Sequence, residues 1–85
     1  MEIIYTTEFI KLYTKLPQKI KILAQQKEEL FIKDLYNPQL RTHKLQGRLY
    51  GYLAFSVNFR YRIIFRFRDA NSVYFLAIGG HEVYK

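Results

Sequence analysis

The stretch that decides the fold is Arg60-Tyr61-Arg62-Ile63-Ile64-Phe65-Arg66-Phe67-Arg68-Asp69-Ala70-Asn71-Ser72-Val73-Tyr74-Phe75-Leu76-Ala77-Ile78-Gly79. Tyr61, Ile63, Phe65 and Phe67 alternate with Arg60, Arg62, Arg66 and Arg68, the period of a strand with one apolar and one cationic face. Asp69-Ala70-Asn71-Ser72 is turn chemistry, and the unbroken apolar run Val73 to Ile78 reads as a strand in the middle of a sheet, closed by Gly79-Gly80. Just upstream, Leu53, Phe55, Val57 and Phe59 alternate with Ala54, Ser56 and Asn58, which predicts a third strand.

Those aromatic faces need a cover, and the first half of the chain supplies it. Phe9, Leu12, Tyr13 and Leu16 recur at helical spacing after a Thr6 or Thr7 cap and the acidic Glu8, and Pro17 ends this helix and can open the next. Ile20, Leu23, Lys27, Leu30, Phe31 and Leu35 form the seam of a longer helix, which Asn37-Pro38 stops. Ile3-Ile4-Tyr5 reads as a short opening strand. The expectation is an α+β domain spanning residues 1–85: an N-terminal strand, a two-helix hairpin, then three antiparallel strands, with the helices on one face of a sheet of about four strands. Leu12, Leu16, Ile20, Leu23, Leu30, Phe31 and Leu35 should meet Phe55, Ile63, Phe65, Phe75 and Leu76, leaving the arginine face open.

Eighty-five residues bury only about 60 to 65% of the unfolded surface. With no cysteine the packing of a chain that is 49% hydrophobic and 18% aromatic must supply the stability. The same absence excludes disulfide scaffolds and Cys-ligated metal sites. No apolar run is long enough to span a membrane and no secretory signal opens the chain, so a cytoplasmic protein without membrane contact is expected. There is no phosphate-binding Gly-Lys loop and no Ser/His/Asp pattern.

The net charge of +7 attracts polyanions, and it is unevenly placed: +2 over residues 1–42 and +5 over residues 43–85. Arg41 is the one arginine of the first half, whereas Arg48, Arg60, Arg62, Arg66 and Arg68 carry the second. A guanidinium holds a phosphate through two parallel hydrogen bonds, which lysine cannot do. The plain alternative is a solubilising surface. Tyr50, Tyr52, Phe59 and Tyr61 border this region and have rings that can stack on unpaired bases or fill the core. His43 and His81 stand at the two irregular ends of the expected sheet. If folding gathers them around Arg62, the site holds two proton-transfer groups and a guanidinium, the equipment for attack of a 2′-hydroxyl on its neighbouring phosphate. Two histidines without a carboxylate partner are too few for a zinc site. For each alone, a surface or capping role is the ordinary reading.

Taken in order, His43-Lys44-Leu45-Gln46-Gly47 with Gly51-Tyr52, then Tyr61-Arg62-Ile63-Ile64-Phe65, then Ile78-Gly79-Gly80-His81-Glu82-Val83-Tyr84, resemble the RelE/ParE superfamily of bacterial toxin–antitoxin toxins. The likeness is to its RelE-like (YoeB/YafQ-like) mRNA interferases and covers essentially the whole chain. The resemblance implies the toxin of a type II toxin–antitoxin system, a ribosome-dependent endoribonuclease that cleaves mRNA by transesterification, inhibits translation and is neutralised by a cognate antitoxin. It implies no cofactor. It assigns His43 as a base, Arg62 as the transition-state stabiliser, His81 as acid or phosphate ligand and Tyr84 as an aromatic that orients RNA. Lys44 and Arg60 lie beside these as phosphate contacts, with Arg48, Arg66 and Arg68 as further RNA-binding residues. The chain departs from the pattern in two places. Asn58-Phe59-Arg60-Tyr61 stands where some interferases carry an acidic residue, and Leu53-Ala54-Phe55-Ser56 where others carry basic ones. Two rival functions remain, a ParE-like inhibitor of DNA gyrase, which needs neither histidine, and a non-catalytic RNA-binding module.

Overall fold

A computed structural model describes residues 1–84. Its elements run β1 (Glu2–Tyr5), α1 (Thr7–Thr14), α2 (Gln18–Lys33), β2 (His43–Lys44), β3 (Leu53–Ser56), β4 (Arg62–Asp69) and β5 (Ser72–Gly79), with 3-10 turns at Pro38–Leu40, Gly47–Leu49 and His81–Tyr84. The sheet is five-stranded and mixed, in the order β1-β5-β4-β3-β2. β3, β4 and β5 form the expected antiparallel run, and β1 pairs in parallel with β5. The fifth strand was not foreseen. It consists of His43 and Lys44 alone, paired with Ala54 and Leu53, too short to show a period.

Thr6 caps α1. Its Oγ1 accepts from the Phe9 amide (3.2 Å) and donates to the Phe75 carbonyl (2.9 Å), so one side chain starts the helix and ties it to β5. Pro17 sits at the cap of α2, one residue before its first turn. The hairpin covers one face of the sheet, and Phe31 from α2 is completely buried among Phe55, Phe65 and Phe75, at ring separations of 4.7, 5.0 and 5.5 Å. Phe9 from α1 adds a contact to Phe75 at 5.4 Å. Leu12, Leu16, Leu23, Leu30 and Leu35 pack around this cluster half-buried, and Ala24 lets α2 approach closely.

Three expectations about the strands are corrected. Leu76 does not meet the helices. Ile64 pairs with Ala77 but Phe65 with Phe75, so Leu76 is an extra residue in β5, and both Leu76 and Ala77 pack on the opposite face. That face is also not open. Leu45, Ala54 and Ile64 form a second buried cluster there, roofed by Leu49, Tyr52, Val83 and Tyr84. The unbroken apolar run of β5 thus reflects burial on both faces. β3 ends at Ser56, and Phe59, expected to alternate inward, lies in the loop to β4 almost fully exposed.

Truncation costs should follow this packing. Phe65→Ala should lose about 3–5 kcal/mol, and Leu23→Ala, half-buried at the rim, should lose less than half as much. Denaturant unfolding followed by circular dichroism measures both, and equal costs would contradict the central place of the aromatic cluster.

Candidate functional site

Arg62 opens β4 opposite Gly79, the last residue of β5. Just beyond Gly79 the chain folds back as the His81–Tyr84 turn, and this return brings three side chains together. Arg62 Nη1 lies 3.4 Å from His81 Nδ1, the Arg62 guanidinium carbon is 5.1 Å from the centre of the Tyr84 ring, and the His81 and Tyr84 rings are 5.9 Å apart. A guanidinium only donates, so His81 Nδ1 is the acceptor and the ring proton sits on Nε2.

The return depends on a missing side chain. A Cβ on Gly79 would stand 2.7 Å from Cγ1 of the stiff, β-branched Val83, which is too close, and 2.9 Å from Glu82 Oε1, the end of a flexible side chain that can move aside. Glu82 completes the turn by accepting from the Gly80 amide at 2.9 Å. Its carboxyl titrates below the ordinary 4.5 because its own backbone amide and then that of Gly80 donate to it, with smaller help from the charges of Arg60 and His81.

His43 reaches the same region from the other edge. It pairs with Ala54, which belongs to the second cluster, so it lies on the Tyr84 side of the sheet. Arg41, with φ at 52° in the left-handed region, presents its carbonyl to His43 Nδ1 at 2.9 Å. That oxygen accepts, so Nδ1 carries the hydrogen and Nε2 of the neutral ring holds a free lone pair. His43, Arg48 and Tyr84 line one cleft of about 310 Å³ with Leu45, Gln46 and Leu49. Tyr84 therefore joins the two halves of the site, touching the cleft on one side and the Arg62–His81 pair on the other.

The remaining expected contacts are distributed differently. Lys44 pairs with Leu53, a residue of the helix-side cluster, and lines a neighbouring hollow with Tyr50 and Tyr52. Arg60 is not on β4 but in the loop before it. Arg66 and Arg68 lie about 13 and 20 Å further along the strand, at about 3.3 Å per residue. Arg66 stacks over Tyr74 at 4.9 Å, and Arg68 is 3.9 Å from Glu2. Arg62, Arg66 and Arg68 are thus a stripe along β4 with one end in the site, and Arg60 flanks that end from the loop. Glu82, Gly79 and the Arg41 carbonyl were missed, and only the Gly79-Gly80 pair carried a sequence signal. Among the described residues no helix is long and apolar enough to cross a membrane.

No protein-family model matches the chain, and no curated protein matches it in sequence. Solved structures match it in fold. The YoeB/ParE toxin from Agrobacterium tumefaciens superposes with a TM-score of 0.79 at 12% identity, covering 95% of this chain and 99% of that one. YafQ from E. coli strain BL21(DE3) gives 0.78 at 22% identity, covering 98% and 96%. A chain of the RelBE2 toxin–antitoxin complex from Mycobacterium tuberculosis gives 0.70 at 22%, covering 94% and 96%. The fold is that of RelE-like toxins.

Gly79→Ala should displace the 81–84 turn while leaving the aromatic core folded. Nuclear Overhauser contacts between the Tyr84 ring and the Arg62 side chain should vanish, and their survival would show that the close approach at Gly79 is not what seats the turn. Acid should loosen the same turn. A carboxyl whose folded pKa is depressed contributes fully above its unfolded value, and that contribution fades as pH falls through the lower folded value. The Gly80 amide resonance should therefore titrate below pH 4.5, the ordinary glutamate value, and lose that titration in Glu82→Gln.

Proposed function

We propose that this chain is the toxin of a type II toxin–antitoxin system and acts as an endoribonuclease on ribosome-bound mRNA, in the cytoplasm. The observation that carries this reading is the convergence of Arg62, His81 and Tyr84 at the end of β5 with a cleft that holds His43 and Arg48. The shared fold supports it: the three structures described above are of toxins, one of them within a toxin–antitoxin complex. A cognate antitoxin is the protein partner in this reading, and the +7 charge suits an acidic one.

The two histidines divide the proton work. His43 Nε2, kept bare by the Nδ1–H bond to Arg41, takes the proton from the 2′-hydroxyl. The 2′-oxygen then bonds to phosphorus and the bond from phosphorus to the 5′-oxygen breaks. His81, first protonated from water to the imidazolium, hands a proton to that leaving oxygen. Protonation of its Nδ1 removes the acceptor that holds Arg62, which frees the guanidinium to meet the phosphorane oxygens where charge develops. Tyr84 keeps the guanidinium on its ring face, and Arg48 holds a phosphate from the far wall of the cleft. Lys44 and Arg60 serve as flanking backbone contacts, and Arg66 and Arg68 extend the attraction along the sheet.

The test is to map mRNA 5′ ends in a translating extract. New ends should carry a 5′-hydroxyl, with a 2′,3′-cyclic phosphate on the other fragment. Arg62→Ala should slow cutting several hundred-fold, the loss of about 3–4 kcal/mol of transition-state stabilisation. His43→Ala and His81→Ala should each cost about 100 to 10,000-fold. Intact mRNA at every codon, together with inhibition of DNA supercoiling by gyrase, would replace this reading with the ParE-like one.

A further inference from the structure

Phe59 is 95% exposed, the most open of the large apolar side chains of the described residues. Its position is not that of a slack loop. Asn58 Oδ1 accepts from the amides of Arg60 (2.9 Å) and Tyr61 (2.7 Å), and the amides of Val57 and Asn58 both donate to the Tyr61 carbonyl at 2.9 and 3.2 Å. Val57 is buried and Tyr61 packs on the helix-side core, so both shoulders of the turn are anchored and the ring is held out into water. The turn also abuts the candidate site. The Arg60 carbonyl lies 3.6 Å from where a Cβ on Gly80 would stand, Gly80 leads into His81, and the strand leaving the turn begins with Arg62.

An exposed aromatic face, a guanidinium on the next residue and a phosphate-handling arginine three residues on make up the combination that unpaired nucleic acid recognises. The base stacks on the ring while cations follow the backbone. Water solvates such a ring poorly, and every base has a π-face to cover it. We infer that the Phe59–Arg60 tip is a nucleobase-stacking subsite, in which Phe59 receives an unpaired base flanking the scissile phosphate and Arg60 holds the adjoining phosphate. This rests on the RNA-cleavage reading above and names a specific contact within it. A protein partner could use the same ring as an apolar anchor, but the flanking arginines favour a polyanion with flat, stackable groups.

The chain has no tryptophan, so Phe59→Trp places a single indole reporter at the tip. This variant is titrated with a single-stranded 2′-O-methyl RNA oligonucleotide, which lacks the nucleophile and cannot be cut, and with versions carrying one abasic site at successive positions. Stacking predicts quenching of the indole that fails for one abasic position. In parallel, Phe59→Ala should weaken binding about 5 to 150-fold, the equivalent of about 1–3 kcal/mol per stacked base, while Phe59→Tyr binds like the native protein. Native affinity in Phe59→Ala would overturn the subsite, as would an indole that responds to an acidic peptide but not to the oligonucleotide. The two readings fail separately. Unchanged mRNA cutting by Phe59→Ala, with native oligonucleotide affinity, sinks the subsite and leaves the nuclease intact. Position-specific quenching in a protein that cuts no mRNA in translating extract upholds the subsite and sinks the nuclease.

Discussion

The insertion of one ring, Phe31, organises this molecule. It is the point where α2 enters the sheet, and its neighbours Phe55, Phe65 and Phe75 come one each from β3, β4 and β5. A single contact set thus fixes the helix on the sheet and the register of three strands against one another. Aromatic rings favour offset and edge-to-face arrangements, so the cluster is directional as well as apolar. In a chain this short, with no disulfide, such a cluster must hold most of the stability.

Because that cluster lies on one face, the other face is left for a smaller and more exposed layer, and the candidate site is built there. The extra residue at Leu76 is what lets β5 serve both layers. It keeps Phe75 and Ile78 toward the helices while Leu76 and Ala77 support Tyr84 and its neighbours. Bulges recur beside functional sites because they re-aim side chains without breaking the sheet, and this one has that effect. The site then needs few local devices: a glycine that admits Val83, a carboxylate that closes the turn, and a left-handed arginine whose carbonyl orients His43.

Charge is arranged by the same division. Arg62 is the strand arginine half-shielded by the returning C-terminal turn, while Arg66 and Arg68 stay exposed further along. Exposed cations raise the local concentration of a polyanion, whereas an arginine held between a histidine and a tyrosine ring has a defined place relative to a bound phosphate. The same residue type therefore performs attraction and positioning on one strand.

Period and punctuation in the sequence were enough to read the hairpin, the three antiparallel strands and the face each helix buries, because those features are set by neighbours one to four residues away. Residue type singled out His43, Arg62 and His81 as candidates, and the family resemblance alone added Tyr84. Tertiary structure alone decided what spans long distances along the chain. The pairing of β1 with β5, the two-residue β2, the slip at Leu76 and the exposure of Phe59 each depend on partners that no local period reports. The Asn58 turn that projects Phe59 competes with strand geometry through side-chain-to-backbone hydrogen bonds, so an alternating pattern overran the true end of β3. The arginine face looked open because the pattern shows which side chains point away from the helices, not what comes back to cover them. Residues 81–84 return over that face because Gly79 lacks a side chain, a steric fact that exists only once Val83 is beside it.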